Sequence, residues 1–111
     1  MSDRQPTAPN AIVPDNLAGL TARFLRHCAR DAHLIEQSLA SGDLESARRI
    51  AHQLHGAGSA YGFATVSLES ARIEAASRIG DCTRAQRACD RLRDYLARLA
   101  AHGEGFGPRA S

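Results

Sequence analysis

The residues best equipped for chemistry are His52 and His55. They sit in the run AHQLHGAGSAYG, residues 51–62, among small side chains. A neutral imidazole offers one ring nitrogen as a nucleophile while the other carries the proton. Two imidazoles at i and i+3 can also hold a metal with a third ligand such as Glu74, provided both rings converge. The same run contains Gly56 and Gly58, each of which weakens a helix interior by roughly 1 kcal/mol relative to alanine. A helix weakened beside its histidines needs a reason.

Helical geometry supplies one. At about 100° per residue, Ala47, Ile50, Ala51, Leu54, Gly58 and Tyr61 cluster within roughly 60° of one direction. His52 lies roughly 140° from that stripe and Gly56 roughly 180°, while His55 sits at the margin at roughly 80°. Arg48, Arg49, Glu45 and Ser59 share the outward face. His52 is therefore predicted to face solvent beside a surface stripped of side chains at Gly56, where another body can approach the backbone closely. Gly58 points inward, as close approach of a neighbouring helix would require.

Four helices must position these residues. The first is expected from Asp15 or Asn16, after Pro14, with Thr21 as a second start signal. Its apolar stripe is Leu17, Leu20, Phe24, Cys28, Ile35 and Leu39. Ser41-Gly42-Asp43 stops it and caps the next helix. That second helix carries Leu44 and the stripe described above, and Gly62 ends it. A third is expected from Ala64 or Thr65 to Ile79, followed by a second stop-and-cap signal at Gly80-Asp81. The last carries Ala85, Cys89, Leu92, Leu96 and Leu99, with Gly103 closing it. β-branched runs are almost absent and no period-two stretch is found. The pattern predicts an all-α, antiparallel up-and-down four-helix bundle over 14–102, with a flexible arm at 1–13 and a flexible tail at 103–111.

Composition narrows the function classes. With 43% hydrophobic and 23% charged residues over 111 positions, the chain suits one domain with a modest core. All 14 basic residues are Arg, but they are interleaved with 12 acidic ones, and aromatics make up only 5%. That balance argues against a nucleic-acid interface. Cys28, Cys82 and Cys89 are odd in number and lack metal spacing, and so read as small apolar residues of a reduced protein. No signal segment or membrane-length apolar run is found, so a cytoplasmic location is expected. There is no G-x-x-x-x-G-K loop to bind a nucleotide.

The run resembles the signature of the histidine-containing phosphotransfer (HPt) domains of phosphorelays. That signature is Ala-His-x-Leu-Lys-Gly, several small residues, then an apolar residue and Gly. Here it reads Ala51-His52-Gln53-Leu54-His55-Gly56, then Ala57-Gly58-Ser59-Ala60 and Tyr61-Gly62, with Ile73-Glu74 matching the apolar-acidic pair on the next helix. The resemblance implies that His52 is phosphorylated and that Glu74 hydrogen-bonds its distal ring nitrogen. It implies a phosphoryl carrier rather than an enzyme. The partners would be response-regulator receiver domains and a hybrid histidine kinase, docking over Arg49, Gly56 and Ser59. The chain itself would bind no metal or other cofactor, with Mg²⁺ coming from the receiver, and it would be a monomer. The opening Met and the expected flexible ends suit a free-standing protein, and a domain excised from a hybrid kinase would read the same way. His55 departs from the family, which has Lys there; Arg48 and Arg78 are candidates to supply charge at the phosphoryl group instead. Two other readings stand beside this one: an HPt-fold interaction domain without phosphotransfer, and a metal-binding bundle using His52, His55 and Glu74.

Overall fold

The computed structural model describes residues 14–101, with side chains from Gly19 onward. The expected arm at 1–13, the side chain of Leu17, the closing Gly103 and the tail at 103–111 lie outside the described residues. Four helices follow in order: α1 (Pro14–Ala40), α2 (Leu44–Tyr61), α3 (Ala64–Arg78) and α4 (Cys82–Ala101). The described residues contain no strand. α1 packs on α2 and α4, and α3 packs on the same two helices, so the four close into a bundle. No described helix is long and apolar enough to cross a membrane.

Local chemistry sets the turns. Asp43 caps α2: one carboxylate oxygen accepts from the Ser46 N–H at 3.1 Å and the other from the Ser46 hydroxyl at 2.7 Å. Those two bonds, with the nearby Arg49 guanidinium, hold the Asp43 carboxyl below the usual carboxylate range. At the far end of α2, Gly62 adopts φ 81°, and the Phe63 N–H reaches back to the Gly58 carbonyl at 2.8 Å. This left-handed closure is cheap only for glycine, and it turns the chain into α3.

Each helix contributes one large, fully buried side chain to the centre: Ile35, Leu54, Ile73 and Leu92. Burying each stabilises the fold by roughly 1.5–3 kcal/mol. Phe24, Cys28, Leu39, Ala47, Ala51, Ala85, Cys89 and Leu96 extend this core. The buried thiols of Cys28 and Cys89 are pushed up to about 12, chiefly by desolvation.

Several residues depart from their expected places. Leu20 and Tyr61 fall on apolar stripes but are 47% and 54% exposed. They lie near the N-terminal part of α1 and the end of α2, with Tyr61 stacked on Phe24 at a 4.3 Å centroid distance. Cys82 is exposed at the start of α4, not a core residue. Ile79 follows the last residue of α3 and is 71% exposed. α3 itself hides a polar face: Glu69, Ser70, Glu74 and Ser77 are all buried. The Ser70 and Ser77 hydroxyls find no hydrogen-bond partner among the described residues.

The two glycines of the histidine run have opposite surroundings. A Cβ on Gly58 would stand 2.8 Å from the Ser67 backbone nitrogen of α3, whereas one on Gly56 would meet nothing within 4 Å. Gly58→Ala should therefore destabilise the protein by about 1–3 kcal/mol through overpacking against backbone. Gly56→Ala should stabilise it by up to about 1 kcal/mol through helix propensity. Chemical denaturation of both variants checks the opposite signs. The depressed Asp43 carboxyl makes a second expectation. Its contribution is complete above the ordinary carboxylate range and fades as pH falls through the folded-state value. The Tm gap between wild type and Asp43→Ala should accordingly shrink on acidification.

Candidate functional site

α2 presents His52 outward, 69% exposed, while α3 sets Glu74 against it in a nearly buried position, 12% exposed. The His52 Nδ1 lies 2.9 Å from Glu74 Oε2. An ionised carboxylate only accepts, so Nδ1 carries the hydrogen. In the neutral ring this fixes the tautomer and leaves the Nε2 lone pair on the exposed edge. Nε2 has no hydrogen-bond partner among the described residues, and it is the atom equipped to attack an electrophile.

Glu74 is held from a second side. The Arg78 guanidinium, one turn further along α3, donates to the same Oε2 at 3.0 Å. A carboxylate this far from water needs charged or donating partners. Arg78 and the His52 ring supply them and fix the carboxylate in one orientation.

Arg48 stands one turn before His52 on α2, but Glu45 grips it through two bonds, at 3.2 and 2.6 Å. Those bonds raise its pKa, and the Glu74 charge adds a smaller upward push. Of the two candidate cations, Arg48 is thus tied to Glu45 and Arg78 to Glu74. Arg49 is exposed and reaches Ser46 at 3.4 Å. Gly56 is exposed one turn beyond His52, with open space where its side chain would be.

His55 is half-buried on the α3 side of α2. Its ring forms no hydrogen bond among the described residues, and it lines a shallow groove of about 490 Å³ with Ser59, Ser67 and Leu68. The Ser59 and Ser67 hydroxyls lie 2.8 Å apart, and Ser67 also donates to the His55 carbonyl at 3.2 Å. Ser59, expected on a docking face, is thus also a stitch between α2 and α3. Among the described residues no group of three or more His, Cys, Asp or Glu converges as metal ligands. His52 and Glu74 meet; the His55 ring does not join them.

Sequence reasoning did not find Glu69. Its carboxylate accepts from Arg72 at 3.2 Å and from Arg91 of α4 at 3.0 Å, beneath the surface of α3. Arg91 lies 22 residues away along the chain, and no local pattern links the two. This pair braces α3 against α4 and so supports the helix that carries Glu74.

A family model described as Hpt domain matches residues 19–102. Neither the curated proteins nor the solved structures contain a significant match to the chain.

Removing the Glu74 carboxylate should release the ring. In long-range ¹H–¹⁵N spectra of neutral His52, wild type should show one tautomer with the proton on Nδ1. Glu74→Ala should show averaging between both tautomers, and Glu74→Gln should retain part of the preference through its amide oxygen.

Proposed function

The chain belongs to the Hpt domain family, and from that premise we propose that it is a phosphorelay intermediate carrying a phosphoryl group on Nε2 of His52. The His52–Glu74 hydrogen bond carries this reading, because it holds the ring proton on Nδ1 and leaves Nε2 free to act as the nucleophile. A receiver domain bearing an aspartyl phosphate docks over Arg49, Gly56 and Ser59. Nε2 attacks phosphorus in line; the N–P bond forms as the aspartyl O–P bond breaks, and the receiver keeps its carboxylate. The Nδ1 proton stays on the ring. The phosphorylated ring gains positive charge, and the Glu74 carboxylate at 2.9 Å stabilises it. Transfer to a second receiver follows the same path in reverse.

On this reading the chain supplies positioning and charge and acts as a carrier without autokinase activity. Mg²⁺ in the receiver's acidic pocket would neutralise the phosphoryl oxygens. Arg48 and Arg78 are the proposed sources of positive charge near the phosphoryl group, with His55 standing where the family has Lys. The proposed partners are response-regulator receivers and a hybrid histidine kinase, met by a cytoplasmic monomer. The scaffold is proposed to be an antiparallel up-and-down bundle. Cross-helix bonds support that arrangement. Cys82 reaches Leu39 and Cys89 reaches Ala32 between α4 and α1; His52 meets Glu74 and Ser59 meets Ser67 between α2 and α3. In both pairs, residue numbers rise on one helix as they fall on the other.

The test is phosphotransfer from receiver domains charged by a small-molecule phosphodonor with Mg²⁺, read by intact mass and acid lability. Wild type should take up one acid-labile phosphoryl group and His52→Gln none, with the variant's circular dichroism unchanged. Uptake by His52→Gln would name another acceptor. Failure of both proteins across a panel of receivers would favour an HPt-fold interaction domain without relay chemistry.

A further inference from the structure

α1 carries Arg23, Arg26, His27 and Arg30 at i, i+3, i+4 and i+7. That spacing puts all four on one helix face, and all four are exposed. They form one wall of a groove of about 670 Å³ between α1 and α2. The apolar part of its lining is Leu20 and Phe24 from α1 with Ala57 and Tyr61 from α2. No acidic residue lines it. The nearest charge balance is at its edge: Arg30 approaches His27 Nδ1 at 3.4 Å, and His27 Nε2 lies 3.0 Å from the Asp31 carboxylate. A neutral His27 fits both contacts, accepting from Arg30 and donating to Asp31. Arg23 and Arg26 have no carboxylate partner among the described residues.

This arrangement does little for the fold. Like charges at these spacings destabilise a helix, and Leu20 and Tyr61 stay about half exposed beside them. It suits a partner that is acidic and amphipathic. Arg forks pair with carboxylates in a bidentate geometry, and the Leu20–Tyr61 surface accepts an apolar side chain. A nucleic acid fits less well, because one face of the Tyr61 ring is already stacked on Phe24, and base recognition calls for open stacking platforms.

The groove also adjoins the histidine. Ala57 and Tyr61 stand about 8 and 14 Å along the α2 axis from His52. Exposed Gly56 and Ala60 lie between, beside the exposed Gln53 side chain.

We propose that this groove is a specificity surface for the receiver domain, holding an acidic, amphipathic segment of that partner while its phosphoryl group meets His52. This rests on the phosphotransfer reading above. Arg23, Arg26 and Arg30 select partners by charge and take no part in the chemistry.

The experiment uses a receiver with which wild type exchanges phosphate, and the triple variants Arg23→Gln/Arg26→Gln/Arg30→Gln and Arg23→Glu/Arg26→Glu/Arg30→Glu. Direct loading of His52 by phosphoramidate serves as a partner-independent control. The Glu variant should raise the KM for the receiver by about tenfold or more and flatten its salt dependence. The Gln variant should give a smaller rise. The rate at saturating receiver and the phosphoramidate loading should stay within about twofold of wild type, as expected when only encounter and docking are weakened. Unchanged KM and salt slope with transfer intact would overturn the proposal and leave the His52 reading standing. So would a concentration-dependent dimer of wild type that the Glu variant abolishes while KM is unchanged, since the occupant would then be a second copy. If wild type loads from phosphoramidate but exchanges with no receiver, the relay reading fails and the groove proposal falls with it.

Discussion

The missing side chain at Gly58 governs the site more than any group that is present. With no Cβ there, α3 brings the Ser67 backbone nitrogen to within 2.8 Å of where one would stand. The two helices therefore run close together along the face that bears His52 and Glu74. A hydrogen bond of 2.9 Å between side chains on different helices tolerates little separation of their backbones. The Ser59–Ser67 contact and the Ser67 bond to the His55 carbonyl close the same seam on its outer side. The helix is weak at Gly58 because α3 occupies the space that a stronger helix former would fill.

Electrostatics then give that geometry its chemical sense. Glu74 is nearly buried, and its Oε2 receives both the His52 ring proton and the Arg78 guanidinium. A carboxylate fixed between two donors is preorganised, so little reorientation is needed when positive charge develops on the imidazole. Deeper in α3, Glu69 plays a structural part between Arg72 and Arg91. Two acids on one helix thus differ in their partners: Glu69 bridges to Arg91 of α4, and Glu74 to the exposed His52 ring.

Much of this was legible in the sequence where periodicity is clean. The outward direction of His52, the inward direction of Gly58 and the turns at Gly42, Gly62 and Gly80 follow from spacing and capping chemistry alone. Glu74 was reached through family resemblance; nothing in the local pattern of α3 marks it. That helix buries Glu69, Ser70 and Ser77 beside Val66 and Ile73, so its interior face does not read as apolar. Wheel geometry also gives direction without depth. It put Leu20 and Tyr61 on the apolar stripes but could not show that they stay about half exposed there. Cys82 was misjudged for a related reason: it opens α4, before the helix is fully enclosed.

The central claim is that Glu74 reserves Nδ1 for the proton and leaves Nε2 to carry phosphate. The most direct test is the site of attachment on the ring. Wild type, phosphorylated by a charged receiver and examined by ³¹P and ¹⁵N NMR at alkaline pH, should carry a single phosphoryl group bonded to Nε2 of His52, with Nδ1 still facing Glu74. A phosphoryl group on Nδ1, or on any residue other than His52, would contradict the account.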